Sequence, residues 1–266
     1  MRLKKKNVLI TGGSKGIGRG LVMHFLREGA DVLTFARNEE SLKVLEGDSE
    51  GLPGKLFTIS GDALREDFTD LIEGAIDKHL SALDVLVNNL GGIREFGDSL
   101  EEVSDEQFRE AFDLNVMTMV RLVRKLIPRL KESKQPRIIT ISSISAVQPS
   151  WSNPHYSLTK AATVNFSKYL ANKLADAKVC VNVVCPGPVK TDLWDMNARD
   201  YARKNGITFE EADFEFSRRA SEWIPLRRVG KPEDLAGLVG FLASDEASWI
   251  TGSCFHVSGG KMLSAF

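Results

Sequence analysis

An α/β fold, one parallel sheet covered by helices on both faces, is what this sequence predicts, and three observations predict it. Short β-branched runs alternate with longer amphipathic ones along the chain, the pattern of repeated crossover units. A glycine-rich turn, "ITGGSKGIGRG", stands at the first strand-to-helix junction. The 266 residues contain no Pro/Gly/Ser-rich linker, so a single domain spanning 1–266 with a substantial core is expected.

The runs "NVLIT", "DVLTFA", "KLFTIS", "LDVLVNN", "RIITIS" and "VCVNVVC" predict six strands. After the first, Ile17, Leu21, Val22, Phe25 and Leu26 recur at helical spacing, and Gly29 supplies the stop. His24 falls off that stripe and reads as a solvated or capping residue, not a ligand. "DEQFREAFDLNVMTMVRLVRKLIPRL" reads as one long helix, with Pro128 able to kink or end it. One connection is anomalous. Residues 193–223 replace a short loop with an insertion carrying Trp194, Tyr201, Phe209, Phe214, Phe216 and Trp223, which predicts a substrate-binding lid over a partly apolar pocket. Within it Glu210, Glu211, Arg218 and Arg219 are either solvated helix faces or contacts to a polar substrate tail.

Composition excludes some functions. Thirty-five basic residues against thirty-six acidic ones give a net charge of -1, which offers no field for nucleic acid or an anionic membrane. No stretch is apolar enough to span a bilayer, and the apolar run in "MRLKKKNVLIT" is too short for a signal peptide, so a cytoplasmic location is expected. Cys180, Cys185 and Cys254 lack the linear spacing of a metal site and read as small apolar fillers; no metal is expected.

The glycine-rich turn carries chemistry. Gly12, Gly16 and Gly18 stand where a backbone must turn tightly and let a pyrophosphate approach a helix N-terminus. The second strand then reports which dinucleotide binds. An NAD site ends this strand with an acid for the adenine ribose, whereas here Ala36 is followed by Arg37. Lys15 is a second cation near the same point and Ser14 adds a hydroxyl, an arrangement suited to a 2′-phosphate and therefore to NADP(H). Taken singly, Arg37 and Lys15 are also what ordinary surface charges look like.

In "PHYSLTKAAT", Tyr156 and Lys160 lie one helical turn apart. Alone, such a pair is an ordinary surface feature. In order along the chain, however, stand "TGGSKGIG", "GDA" with Asp62, "NNLG" with Asn88, Asn89 and Gly91, "LNV" with Asn115, "ISS" with Ser143, "YSLTK", "PGPVKTD" and "RVGKPEDLAGLVGFLASDEASWITGSCFHVSGG". With these motifs the sequence resembles the short-chain dehydrogenase/reductase family over nearly its whole length, most closely its 3-oxoacyl-carrier-protein reductases. Leu90 departs from the alanine most common at that point in the family, without removing a chemical group.

The resemblance implies a Rossmann-type fold and four catalytic residues: Tyr156 as general acid/base, Lys160 lowering its pKa and holding the nicotinamide ribose, Ser143 hydrogen-bonding the carbonyl oxygen, and Asn115 holding a relay water through a helix irregularity. Ser142 is the neighbouring candidate, but strand alternation sends the two side chains opposite ways, and the thirteen-residue spacing to Tyr156 favours Ser143. A buried asparagine satisfied by backbone is the plainer reading of Asn115. The resemblance further implies cofactor contacts from Ile17, Asp62, Ala63, Asn89, Gly91, Pro186, Gly187, Val189 and Thr191.

The function read from all this is an NADPH-dependent carbonyl reductase or alcohol dehydrogenase acting on a small-molecule ketone or secondary alcohol. An NAD-linked alcohol dehydrogenase and a non-catalytic NADP(H)-binding sensor are the alternatives. A homo-oligomer, tetramer or dimer, is expected by fold analogy through Ala162, Phe166, Tyr169 and Leu170 and the C-terminal "FHVSGGKMLSAF".

Overall fold

The computed structural model describes residues 1–93, 97 and 99–264. Its sheet has seven parallel strands in the order β3-β2-β1-β4-β5-β6-β7. Six match the β-branched runs: β1 Asn7–Thr11, β2 Asp31–Ala36, β3 Leu56–Ser60, β4 Val85–Asn88, β5 Arg137–Ile141 and β6 Cys180–Pro186. The seventh, β7 Cys254–Val257, lies at the edge beside β6 and was not anticipated. Its four residues are followed at once by Ser258, Gly259 and Gly260, a turn signal that masks so short a strand.

Alternation along the strands divides the core. From β1, Val8 and Ile10 join Leu21, Val22 and Phe25 of helix α1 (Gly16–Arg27) on one face. Leu9 points the other way, toward Ile72, Leu122 and Leu126. The first face is covered by α1, α2 (Glu39–Asp48) and α9 (Pro232–Ala243). The second is covered by α3 (Phe68–His79), α5 (Thr118–Glu132) and α6 (Pro154–Lys173).

His24 is not a solvated residue. It lies against α9, where a Cβ on Gly240 would stand 2.6 Å from its Nε2, and burial pushes its pKa below the usual value. The long helix expected from Asp105 onward is interrupted. Helix α4 (Asp105–Phe112) passes into a π-turn at Asp113–Met117 before α5. Pro128 sits inside α5 without ending it. Cys180 and Cys185 are buried as expected, but Cys254 is exposed and is therefore not a core filler. Of the residues expected at an oligomer contact, Leu170 is buried and Phe166 is partly buried in the second core, while Tyr169 stacks on Phe166 and is 57% exposed. Ala265 and Phe266 of the C-terminal stretch lie outside the described residues. No helix among the described residues is long and apolar enough to cross a membrane.

Thr34 ties this framework to the turn above it. Its buried hydroxyl donates to Ile10 O at 2.6 Å and accepts from Gly13 N–H at 3.0 Å, joining β1, β2 and the glycine turn. Thr34→Val keeps the shape and removes both bonds, stranding a buried N–H. We expect a loss of about 1–3 kcal/mol in stability, read from the denaturation midpoint; an unchanged midpoint would refute this role.

Candidate active site

Parallel strands carry their functional groups at the carboxyl ends, and here the chain leaves β1 and β4 in opposite directions, opening a crevice between them. Thr11, the last residue of β1, accepts through Oγ1 from the backbone N–H groups of Asn89 and Leu90, both at 2.9 Å. Asn89 Nδ2 answers by donating to Thr11 O and Gly12 O at 2.9 and 3.2 Å. The crevice floor is thereby a closed hydrogen-bonded unit.

Above it the glycines do the work expected of them. Gly12 and Gly16 have φ of 68° and 52°, the left-handed region. A Cβ at Gly18 would overlap the Gly12 carbonyl. The following helix α1 starts at Lys15 with no side-chain cap and no acid in its first turn, so its free N–H groups and positive end of the dipole face the crevice undiminished. The cleft is lined by Gly12, Lys15, Gly16, Ile17, Gly18, Asn89, Gly91, Tyr156, Lys160 and Thr191, with Leu90 and Ser142 beside them, together with Gly92, Ile141 and Asp192, which sequence reasoning had not placed there.

At the end of β2, Arg37 is exposed and no carboxylate among the described residues pairs with it. Lys15 is also exposed and approaches Asp192 only at 3.9 Å. Ser14, next to Lys15 in the glycine turn, is half-buried. Asp62 Oδ1 accepts from Leu64 N–H, holding the turn after β3, and the Ala63 side chain points into the second core and not into the cleft.

Strand β5 ends at Ile141, and the next two residues diverge. Ser142 Oγ is buried, donating to Lys160 O at 3.0 Å and lying 3.1 Å from Thr163 Oγ1. Ser143 instead caps a short turn at Ile144–Ala146 and faces the Tyr156 hydroxyl, whose pKa it lowers. Alternation has sent one serine to brace α6 and the other to face Tyr156.

Helix α6 begins at Asn153, in the left-handed conformation, with Pro154 at its first position. Tyr156 borders the cleft and Lys160 is 5% exposed. The Lys160 Nζ donates to Ile141 O at 3.3 Å and stands 5.6 Å from the centroid of the Tyr156 ring. Burial lowers the Lys160 pKa to about 8. For Tyr156 burial raises the pKa, and the Ser143 hydrogen bond opposes it in part. This reverses the direction expected from a neighbouring ammonium. The reason is that Lys160 is desolvated itself and contacts the ring at a distance, without hydrogen-bonding the phenol.

Asn115 occupies the π-turn. Its Nδ2 donates to Gly92 O and Ala111 O, and its Oδ1 accepts from Gly92 N–H, all at 2.8 Å. Both amide hydrogens are spent on backbone, as in the plainer sequence reading. A Cβ on Gly91 would fall 2.6 Å from Asn115 Oδ1 and 2.9 Å from Lys160 Nζ. Asn115, Gly91 and Lys160 thus converge, and only glycine fits between the other two.

After β6, Pro186 ends the strand and Gly187 passes so close to Ser258 that a Cβ would meet its Cα at 2.8 Å. Val189 bridges to Gly230. Thr191 caps helix α7 (Asp192–Asn205) and packs against Gly16, whose Cβ would lie 3.3 Å from it. The insertion is a pair of helices, α7 and α8 (Phe209–Glu222). Its aromatic residues do not mainly line a pocket: Trp194 and Tyr201 pack edge-on against Phe216, and Phe214 and Trp223 are exposed. Asp213 clasps the pair, accepting from Trp194 Nε1 at 2.8 Å and from Lys190 Nζ at 2.7 Å. Glu211 closes a capping box with Thr208, while Arg218 and Arg219 pair with Glu222 and Glu215, so these charges are solvated helix faces.

This geometry has counterparts among known proteins. The family model described as enoyl-(acyl carrier protein) reductase matches residues 12–261. The 3-oxoacyl-[acyl-carrier-protein] reductase FabG of Thermotoga maritima is 30% identical over 264 residues, covering 99% of this chain and all of that protein. The uncharacterized oxidoreductase YvrD of Bacillus subtilis is 34% identical over 271 residues, with 99% of each chain covered. Among solved structures, L-sorbose reductase from Gluconobacter frateurii, complexed with NADPH and L-sorbose, superposes with a TM-score of 0.92 at 31% identity over 99% of each chain. With its glycine turn, its Ser143–Tyr156–Lys160 cluster and these relatives, the chain belongs to the short-chain dehydrogenase/reductase family of oxidoreductases.

Proposed function

We propose that the protein is an NADPH-dependent carbonyl reductase that converts a small ketone to a secondary alcohol, with Tyr156 as the proton donor. The observation that carries this reading is the meeting, around one cleft, of Tyr156 with Ser143 beside its hydroxyl, the buried Lys160 ammonium and an uncapped helix N-terminus.

The residues suit the dinucleotide. Gly12, Gly16 and Gly18 leave a cradle that side chains would fill, and the N–H groups opening α1 face an anion. Arg37, Lys15 and the Ser14 hydroxyl would meet a 2′-phosphate. Asp62 with Ala63, Ile17, Asn89 and Gly91 would border the adenosine and pyrophosphate half. Pro186, Gly187, Val189 and Thr191 would border the nicotinamide. NADPH bound there supplies the hydride. Tyr156 gives its proton to the substrate oxygen as negative charge develops, and Ser143 holds that oxygen by hydrogen bonding. Lys160, charged below about pH 8, stabilises the phenolate left behind and would hold the ribose hydroxyls. Asn115 positions Gly92 and the loop carrying Gly91 and lies beside Lys160 on the route by which a proton would be resupplied. Helices α7 and α8, clasped through Asp213, would close over the substrate as a lid.

The relatives are named for two kinds of substrate, L-sorbose and a 3-oxoacyl-[acyl-carrier-protein]. NADPH oxidation measured with both classes identifies the substrate type, and no turnover with any carbonyl in a broad panel would favour a dinucleotide sensor instead. Tyr156→Phe should lower turnover by roughly 10²–10⁴-fold while NADPH affinity, read by fluorescence titration, stays within about twofold; undiminished turnover would remove Tyr156 from the chemistry. Arg37→Asp should erase the preference for NADPH over NADH, a change of at least about tenfold in the ratio of kcat/KM; an unaltered ratio would show that the cofactor choice is made elsewhere.

A further inference from the structure

Cys185, Cys254 and His256 are separated by up to 71 positions in the sequence yet meet on one patch of the sheet. The parallel register sets Cys185 of β6 opposite His256 of β7, and Cys254, two residues earlier on β7, faces the same side. The two sulfur atoms are 3.4 Å apart. Cys254 Sγ lies 3.9 Å from His256 Nε2. All three donor atoms fall within 4.8 Å of one another. A tetrahedral zinc ion, with bonds of about 2.3 Å to sulfur and about 2.0 Å to nitrogen, needs sulfur–sulfur and sulfur–nitrogen edges of roughly 3.5–3.8 Å. Movements of a few tenths of an ångström bring the sulfur–sulfur and sulfur–nitrogen pairs to these lengths.

We infer that Cys185, Cys254 and His256 form a binding site for one thiophilic divalent cation of the zinc or cadmium type. The donor set is soft sulfur and imidazole, with no carboxylate, which selects such ions over magnesium or calcium. Two thiolates neutralise the ion, and two protons leave to solvent on binding. The donors sit on neighbouring strands of one sheet, so little ordering is required of them. Cys185 is fully buried on β6, with Ser142 and Ser143 beside it. Cys254 is exposed, at the edge of the sheet, and gives the ion a way in and an open fourth position for water.

The test is a titration of the full, reduced chain with Cd²⁺ after chelator treatment, following thiolate-to-metal charge-transfer absorption and the metal retained after desalting. We expect absorption that saturates at one Cd²⁺ per chain and is displaced by Zn²⁺. Cys254→Ser, an exposed change outside the catalytic cleft, should weaken binding by about tenfold or more and cut the absorption per bound metal. His256→Gln should weaken binding while leaving the thiolate absorption. Cys180→Ser, whose thiol lies against Ser248 O away from the cluster, should change neither. Absence of charge transfer, its survival unchanged in Cys254→Ser, or its loss in Cys180→Ser would overturn the site.

Discussion

A cation buried without a counter-anion is the constraint around which the cleft is organised. Lys160 is 5% exposed, and its only hydrogen bond among the described residues goes to the Ile141 carbonyl. No carboxylate among the described residues pairs with it. Removing an ammonium from water without such a pair is costly, and the protein expresses the cost as a pKa lowered to about 8. A group in this condition is poised to gain from any ligand that offers it oxygen atoms. The stability it forgoes by burial becomes part of the affinity for a ligand of the cleft.

The scaffold that imposes this arrangement is rigid and local. Ser142, buried beneath α6, holds the carbonyl of Lys160 itself, so the lysine's backbone is pinned to the end of β5. From the opposite side the π-turn pushes Asn115 toward Gly91, and three hydrogen bonds of 2.8 Å lock it to Gly92 and Ala111. π-turns of this kind interrupt a helix to aim one residue out of its register. Gly91 then leaves the gap through which Asn115 and Lys160 approach. Each of these elements would be an unexplained defect alone: an irregular helix, an unpaired lysine, a glycine at a crowded point. Together they define one polar pocket at the carboxyl ends of β4 and β5.

Much of this was legible in the chain. Six strands announced themselves because buried parallel strands are unbroken β-branched runs, and the glycine turn because a Cβ at Gly18 would strike the Gly12 carbonyl. The choice between Ser142 and Ser143 could be reasoned from alternation and spacing. Other features were hidden for physical reasons. The π-turn leaves no mark in the periodicity of "FDLNVM", since a helix tolerates a one-residue slip, and only the family resemblance implied an irregularity at Asn115. Strand β7 is too short to show a period beside its glycines. The aromatic residues of the insertion suggested a pocket, but two helices standing off the sheet need a core of their own, and Trp194, Tyr201 and Phe216 supply it. Nor does linear spacing reveal Cys185 beside Cys254, because only the pairing of β6 with β7 joins them. The sequence reading weighed charge at Tyr156 without burial, and burial raises its pKa.

The most direct test of this account is the titration of Lys160 itself, followed by NMR of the side-chain Cε and Nζ in the free protein and assigned by loss of the signal in Lys160→Met. The expected midpoint is near pH 8. A midpoint near 10.5, that of a lysine in water, would show that the ammonium is solvated and that the cleft is not built around it.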